Sequence, residues 1–161
     1  MLPNYTDILV ATDLSPNSLQ AFKHAVMMAR RNKASIHLLH VVPEIDASMR
    51  AYISAMMVKG SLDRFDAEHE TEARAEIARR LKQFAADELA DHPEDLERVT
   101  SVDVCHGDPV TNILLTADRL NVDVIVMGTH GKGAMEYTFL GSVAEKVLRK
   151  TRRPVFIIPI P

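Results

Sequence analysis

The sequence predicts an α/β fold: an open five-stranded parallel sheet, order 3-2-1-4-5, with helices on both faces. Three observations carry that prediction. Strand-like and helix-like patterns alternate along the chain, as they do when helical crossovers join parallel strands. The first and fourth strand patterns, at 7–11 and 122–127, are mostly apolar runs, as strands covered on both faces require. Crossovers are right-handed, so the economical order reverses direction once, between strands one and four. In such sheets ligands sit at the carboxyl ends of the strands that flank the reversal. That places Ala11, Thr12 and Asp13 opposite Met127 and Gly128.

The elements follow in order. After the first strand, Ser15 is the expected N-cap of helix one. Pro16 suits its first turn, where a missing N–H costs nothing. Helix one carries Leu19, Phe22, His24, Val26 and Met27 and ends near Asn32. Strand two runs over 35–42 and Pro43 stops it. In the irregular stretch 44–60, Met49, Tyr52, Ile53, Met56 and Met57 fall at helical spacing, which predicts a short helix. A long helix follows from Ser61 to about Ala90, with Leu62, Phe65, Ala73, Ile77, Leu81 and Phe84 as its apolar stripe. Strand three, 99–105, alternates as an edge strand with one wet face should. Asp108 and Pro109 repeat the cap pattern for helix three, near 110–120. A glycine-punctuated turn after strand four leads into helix four, and the apolar run 154–159 is strand five.

Length and composition bound the function. A chain of 161 residues is expected to be one domain, 1–161, able to bury a core without disulfides. The single cysteine, Cys105, cannot bridge internally and reads as a small buried hydrophobe. Neither a signal peptide nor a membrane-spanning run is evident, so a cytoplasmic protein is expected. A net charge of −3 argues against a general nucleic-acid binder. Lys146, Arg149, Lys150, Arg152 and Arg153 cluster where cations complement the end of the last helix.

The stretch from Met127 to Val143 is the most informative. Gly128, Gly131 and Gly141 punctuate it, and Ser142 stands at the start of a helix. A strand that ends in glycine and reaches a helix N-terminus can hold phosphate, because backbone N–H groups and the helix dipole face the anion. Glycine removes the Cβ that would keep the backbone away. Ordinary turn chemistry is the competing account of the same residues. Neither a P-loop nor a dinucleotide fingerprint is present. His37 and His40, three apart on a strand, face opposite sides and cannot share a metal. His24 reads as a packing or boundary residue.

The spacing Gly128-x-x-Gly131, nine residues, then Gly141-Ser142 resembles the glycine signature of the universal stress protein family, in its ATP-binding branch. DILVATDLSPNSLQAFKHA, HLLHVVP, GDP, VDVIVMGTHGKG and GSVAEKVLRKTRRPVFIIP resemble that family in order along nearly the whole chain. The resemblance implies an adenine nucleotide alpha hydrolase-like fold and a site for ATP, ADP or AMP, with Mg2+ beside the phosphates. It implies that Asp13 bonds the ribose or the adenine edge while Ala11 and Thr12 line the base pocket. Val41 would face adenine, and Met127 and Gly128 would wall the ribose. His130, Gly131 and Gly133 would approach the phosphates, which Gly141, Ser142 and Val143 would hold. His130 could equally cap the turn, Lys132 could reach the β or γ phosphate or stay solvated, and Asp13 could be a turn acid. A departure at position 11, often proline in the family, changes little.

The resemblance further implies a homodimer through strand five, around 155–159, and an unnamed regulatory protein partner. As a function it implies a nucleotide-dependent switch in stress response, with ATP ordering 132–140 and 44–60. The alternative is a slow ATPase or self-phosphorylating enzyme using the same site. Phosphoryl transfer relies on metal and positioned charge, and this set offers no evident base. The methionine-rich segment could be core, an adenine lid or a partner surface.

Overall fold

The computed structural model describes residues 1–44, 48, 51, 55, 61–129 and 140–159, without side chains for 61–69. Its strands are β1 (Asp7–Ala11), β2 (Ser35–Val42), β3 (Val99–His106), β4 (Val124–Gly128) and β5 (Val155–Ile158). They form one sheet in the order β3-β2-β1-β4-β5, and every pairing is parallel. The helices are α1 (Pro16–Asn32), α2 (Ser61–Glu88), α3 (Pro109–Arg119) and α4 (Ser142–Lys150), with a 3-10 helix at Pro93–Arg98. The expected order and parallel pairing are thus the observed ones.

Side-chain alternation divides the core into two layers. Ile8, Val10, Ile36, Leu38, Val124 and Val126 face Ala21, Phe22, Ala25 and Ala29 of α1 and Ala85 of α2. Leu9, Leu39, Ile125 and Met127 face Val110, Ile113 and Ala117 of α3 and Ala144 and Val147 of α4. Each strand therefore sends alternate residues to opposite layers. Burying a Leu, Ile or Val side chain fully is worth about 1.5–3 kcal/mol, which puts the centre of the core at β1 and β4, where Ile8, Leu9, Val10, Val124, Ile125 and Val126 are all at 0% exposure.

The caps read from sequence are present. Ser15 accepts from the Ser18 amide, and Asp108 accepts from the Thr111 amide, at the starts of α1 and α3. Gly107 precedes the second cap with φ +121, a left-handed value that suits glycine.

Several expectations are corrected. His24 and Met27 lie on the exposed side of α1 rather than in its apolar stripe, because Phe22, Ala25, Val26 and Ala29 already fill the contact with the sheet. Ala73 is exposed, and among the described side chains of α2 the fully buried ones lie near its end, at Leu81 and Ala85. The polar face of β3 is only partly exposed: Ser101 bonds His37, Asp103 bonds Arg119 of α3, and Cys105 contacts Thr116. Helix α3 covers that face, and Cys105 is half-buried rather than fully buried. The proposed helix around Met49, Tyr52, Ile53, Met56 and Met57 lies outside the described residues, as do Leu62 and Phe65 as side chains. No helix among the described residues is long and apolar enough to cross a membrane.

Candidate functional site

β1 and β4 are neighbours at the reversal of strand order, with Val10 paired to Val126. The turn that leaves β1 is held by bonds to every polar atom of Thr12. Its amide donates to the Leu39 carbonyl at 2.9 Å, and its carbonyl lies 2.8 Å from His40 Nδ1. Its hydroxyl donates to Ser18 Oγ at 2.7 Å and accepts from the Leu14 amide at 3.1 Å. Thr12 is 6% exposed. Its part in any ligand contact is therefore to shape the turn and to offer van der Waals surface.

Asp13 follows, half-buried, with Oδ1 accepting from the Ser15 amide at 2.9 Å. Leu14 next to it takes φ 61, a left-handed value that costs a residue with a Cβ about 1–2 kcal/mol. The turn is thus strained and closely tied, and it presents Asp13 at the carboxyl end of β1.

Ala11, Val41, Leu140 and Val143 pack against the buried layer that contains Met127 and Ala144. They stand at the ends of β1 and β2 and beside the start of α4. Gly128 is half-buried at the end of β4. The Thr129 amide donates to the Ile158 carbonyl at 3.1 Å, and the Gly141 amide donates to the Thr129 carbonyl at 2.7 Å. The described residues that flank the glycine-bearing segment, Thr129 and Gly141, are therefore bonded to each other.

Helix α4 opens there. Gly141 is its N-cap with φ −66 and ψ 155, and its carbonyl accepts from the Glu145 amide at 3.0 Å. No side chain among the described residues caps this end, unlike α1 and α3. First-turn amides of a helix lack intrahelical partners, so those of Ser142 and Val143 can meet an anion. Ser142 itself is exposed.

Ala11, Thr12, Asp13, Met127, Gly128, Gly141, Ser142 and Val143 thus lie around the reversal, with Val41 on the neighbouring strand. His130, Gly131, Lys132 and Gly133 lie outside the described residues. One group with metal-ligand spacing occurs among the described residues, His92, Glu94 and Asp95. It precedes β3, at the opposite end of the sheet, and Asp95 is held there by Arg30 and Arg98.

A family model described as the universal stress protein family matches residues 4–159. The chain belongs to the universal stress protein family. Universal stress protein MJ0531 of Methanocaldococcus jannaschii is 33% identical over 158 residues, covering 98% of this chain and 84% of the relative. Universal stress protein MJ0577 of the same organism is 29% identical, covering 96% and 94%. The solved structure of MJ0577 superposes with a TM-score of 0.75 at 26% identity, covering 98% and 97%. Universal stress protein UspA from Lactobacillus plantarum superposes at 0.66.

Sequence reasoning overlooked two features of this universal stress protein. One is His40, dismissed as half of an impossible metal pair, whose ring meets the Thr12 carbonyl. The other is Leu14, whose left-handed backbone no glycine announces. The polar run Thr12-Asp13-Leu14-Ser15 before a proline was the available signal, because Asp and Ser side chains bond nearby amides in turns.

Proposed function

We propose that this universal stress protein binds ATP at the reversal of its sheet and serves as a nucleotide-dependent regulatory switch in stress response. The observation that carries the reading is that Asp13 leaves the carboxyl end of β1 beside β4, and the chain that follows β4 returns to the uncapped start of α4. A carboxylate acceptor there suits ribose hydroxyls. The apolar side chains of Ala11, Val41, Met127 and Val143 suit a purine. The α4 amides suit phosphate, with Ser142 adding a hydroxyl, and the family resemblance of the glycine spacing implies that His130, Gly131 and Gly133 would approach it and that Lys132 could reach it. Hydrogen bonds to charged groups contribute about 1.5–3 kcal/mol each. Three or four of them with a buried base reach the roughly 8 kcal/mol of micromolar binding. Mg2+ would enter with the phosphates.

The protein changes what it offers a partner when the site fills, a linkage set by the difference in nucleotide affinity between two states. A second copy pairs through β5, an edge strand whose Phe156 is 40% exposed and stacks edge-on against Tyr5.

Calorimetric titration with Mg-ATP tests the reading, together with ADP release followed over hours. Micromolar binding that Asp13→Ala and Gly131→Val each abolish, with both variants folded, is expected. Binding unchanged in Gly131→Val overturns the phosphate assignment. ADP release that Ser142→Ala removes would make the protein an enzyme rather than a switch.

A further inference from the structure

We propose that His40 is a positioning residue for the nucleotide site: the proton it donates to the Thr12 carbonyl fixes the turn that presents Asp13. The inference rests on the nucleotide reading above. His40 Nδ1 lies 2.8 Å from that carbonyl oxygen. A carbonyl only accepts, so Nδ1 carries the proton, and in the neutral ring Nε2 is the acceptor.

The other bonds on Thr12 do different work. The amide bond to Leu39 continues the strand ladder, and the hydroxyl bonds to Leu14 and Ser18 tie the side chain to the turn. Among the described residues, His40 is what holds the carbonyl. That carbonyl shares a rigid plane with the amide of Asp13. The imidazole on β2 therefore sets the orientation of the backbone that carries Asp13, across a strand boundary.

Leu14 gives this bond its leverage. Its φ of 61 persists only where the surroundings over-determine it. Without the donor on β2, the peptide between Thr12 and Asp13 can rotate, and the turn can relax toward a right-handed conformation that carries Asp13 away from the reversal.

Three variants separate positioning from packing. His40→Asn places an amide N–H where Nδ1 stands, His40→Gln places one where Nε2 stands, and His40→Leu has no donor. In Mg-ATP titrations His40→Asn is expected to bind within about twofold of the parent, while His40→Gln and His40→Leu each lose about tenfold. Parental affinity in His40→Leu, or equal losses in Asn and Leu, overturns the proposal. The NMR shift of the Asp13 amide in the free protein is the second measurement. It should move in His40→Leu and stay in His40→Asn; the reverse or no movement sinks the inference whatever the ligand. If the parent itself fails to bind ATP while that shift pattern holds, the nucleotide reading falls and the positioning of Asp13 by His40 stands.

Discussion

The guanidinium of Arg30, near the end of α1, donates to Asp95, which is 1% exposed inside the 3-10 helix that leads into β3. Arg98 Nε donates to the other carboxylate oxygen at 3.0 Å. The hydrogen bond from Arg30 outweighs the opposing effect of burial, Arg98 adds to it, and the Asp95 carboxyl titrates below its ordinary range. A buried acceptor without its donor costs about 1–3 kcal/mol. Arg30→Met should therefore lower the urea midpoint by that amount of stability. The lowered folded value means that the Asp95 contribution is complete above the unfolded pKa of about 3.9 and is lost as pH falls below it. Urea titrations between pH 3 and 7 should show a shallower acid loss in Arg30→Met than in the parent. Parallel acid limbs would remove the pair from the account.

Gly107→Ala should be costly for a different reason. With φ +121 the backbone is in a region where a Cβ is strained, and the added carbon would stand 3.3 Å from Asn112 Nδ2. That amide is occupied, donating to the carbonyls of His106 and Asp108. The expected loss is about 1–3 kcal/mol, read by thermal or urea unfolding. A loss below about 0.5 kcal/mol, the level of a neutral surface change, would show that the β3–α3 turn rearranges freely.

The strand order was legible because it rests on local signals, and it fixes the address of the candidate site. Alternating patterns gave the crossovers, Ser15-Pro16 and Asp108-Pro109 marked two helix starts, and glycines marked the return to α4. Long-range polar pairing left no such trace. His37 lies 3.1 Å from Asp7 Oδ1 and 2.8 Å from Ser101 Oγ, tying three strands at the amino end of the sheet. The period of β2 puts that histidine and His40 on opposite faces, but it names neither the Asp7 and Ser101 partners of the one nor the Thr12 partner of the other. Helix faces differ from the sequence expectation where the apolar residue stays exposed, as with Met27 and Ala73. A hydrophobic pattern states what can be buried; the contact with the sheet decides what is.

Asp123 offers a third prediction. Its Oδ2 accepts from the Thr6 amide at 2.7 Å, the Asp7 amide at 2.9 Å and the Thr6 hydroxyl at 2.8 Å. Partial burial pushes this carboxyl up, but the donors and nearby Arg153 together bring it below its ordinary range. The side chain thus joins the start of β1 to the start of β4. Asp123→Ala should destabilise by about 1–2 kcal/mol, whereas Asp123→Asn keeps an acceptor and should recover part of the loss at neutral pH. In the parent this contribution fades as pH falls through the lowered folded value, and it is whole above about pH 4. Equal stability of the Ala and Asn variants at pH 7 would contradict the acceptor role.

Gly141 gives the sharpest separation of binding from folding. Its φ of −66 and ψ of 155 are open to any residue, so nothing in its backbone requires glycine. Its amide bond to the Thr129 carbonyl survives in alanine too. Gly141→Ala should cost the free protein no more than about 1 kcal/mol, the usual gap between glycine and alanine at an N-cap. If phosphate approaches the start of α4, however, the new methyl stands beside the amides that would hold it. Mg-ATP affinity should then fall by about tenfold, the equivalent of one lost hydrogen bond to a charged group. Paired melts with and without nucleotide read both quantities from one sample. A variant that loses stability but keeps its nucleotide protection would mean that this glycine serves the turn and not the ligand.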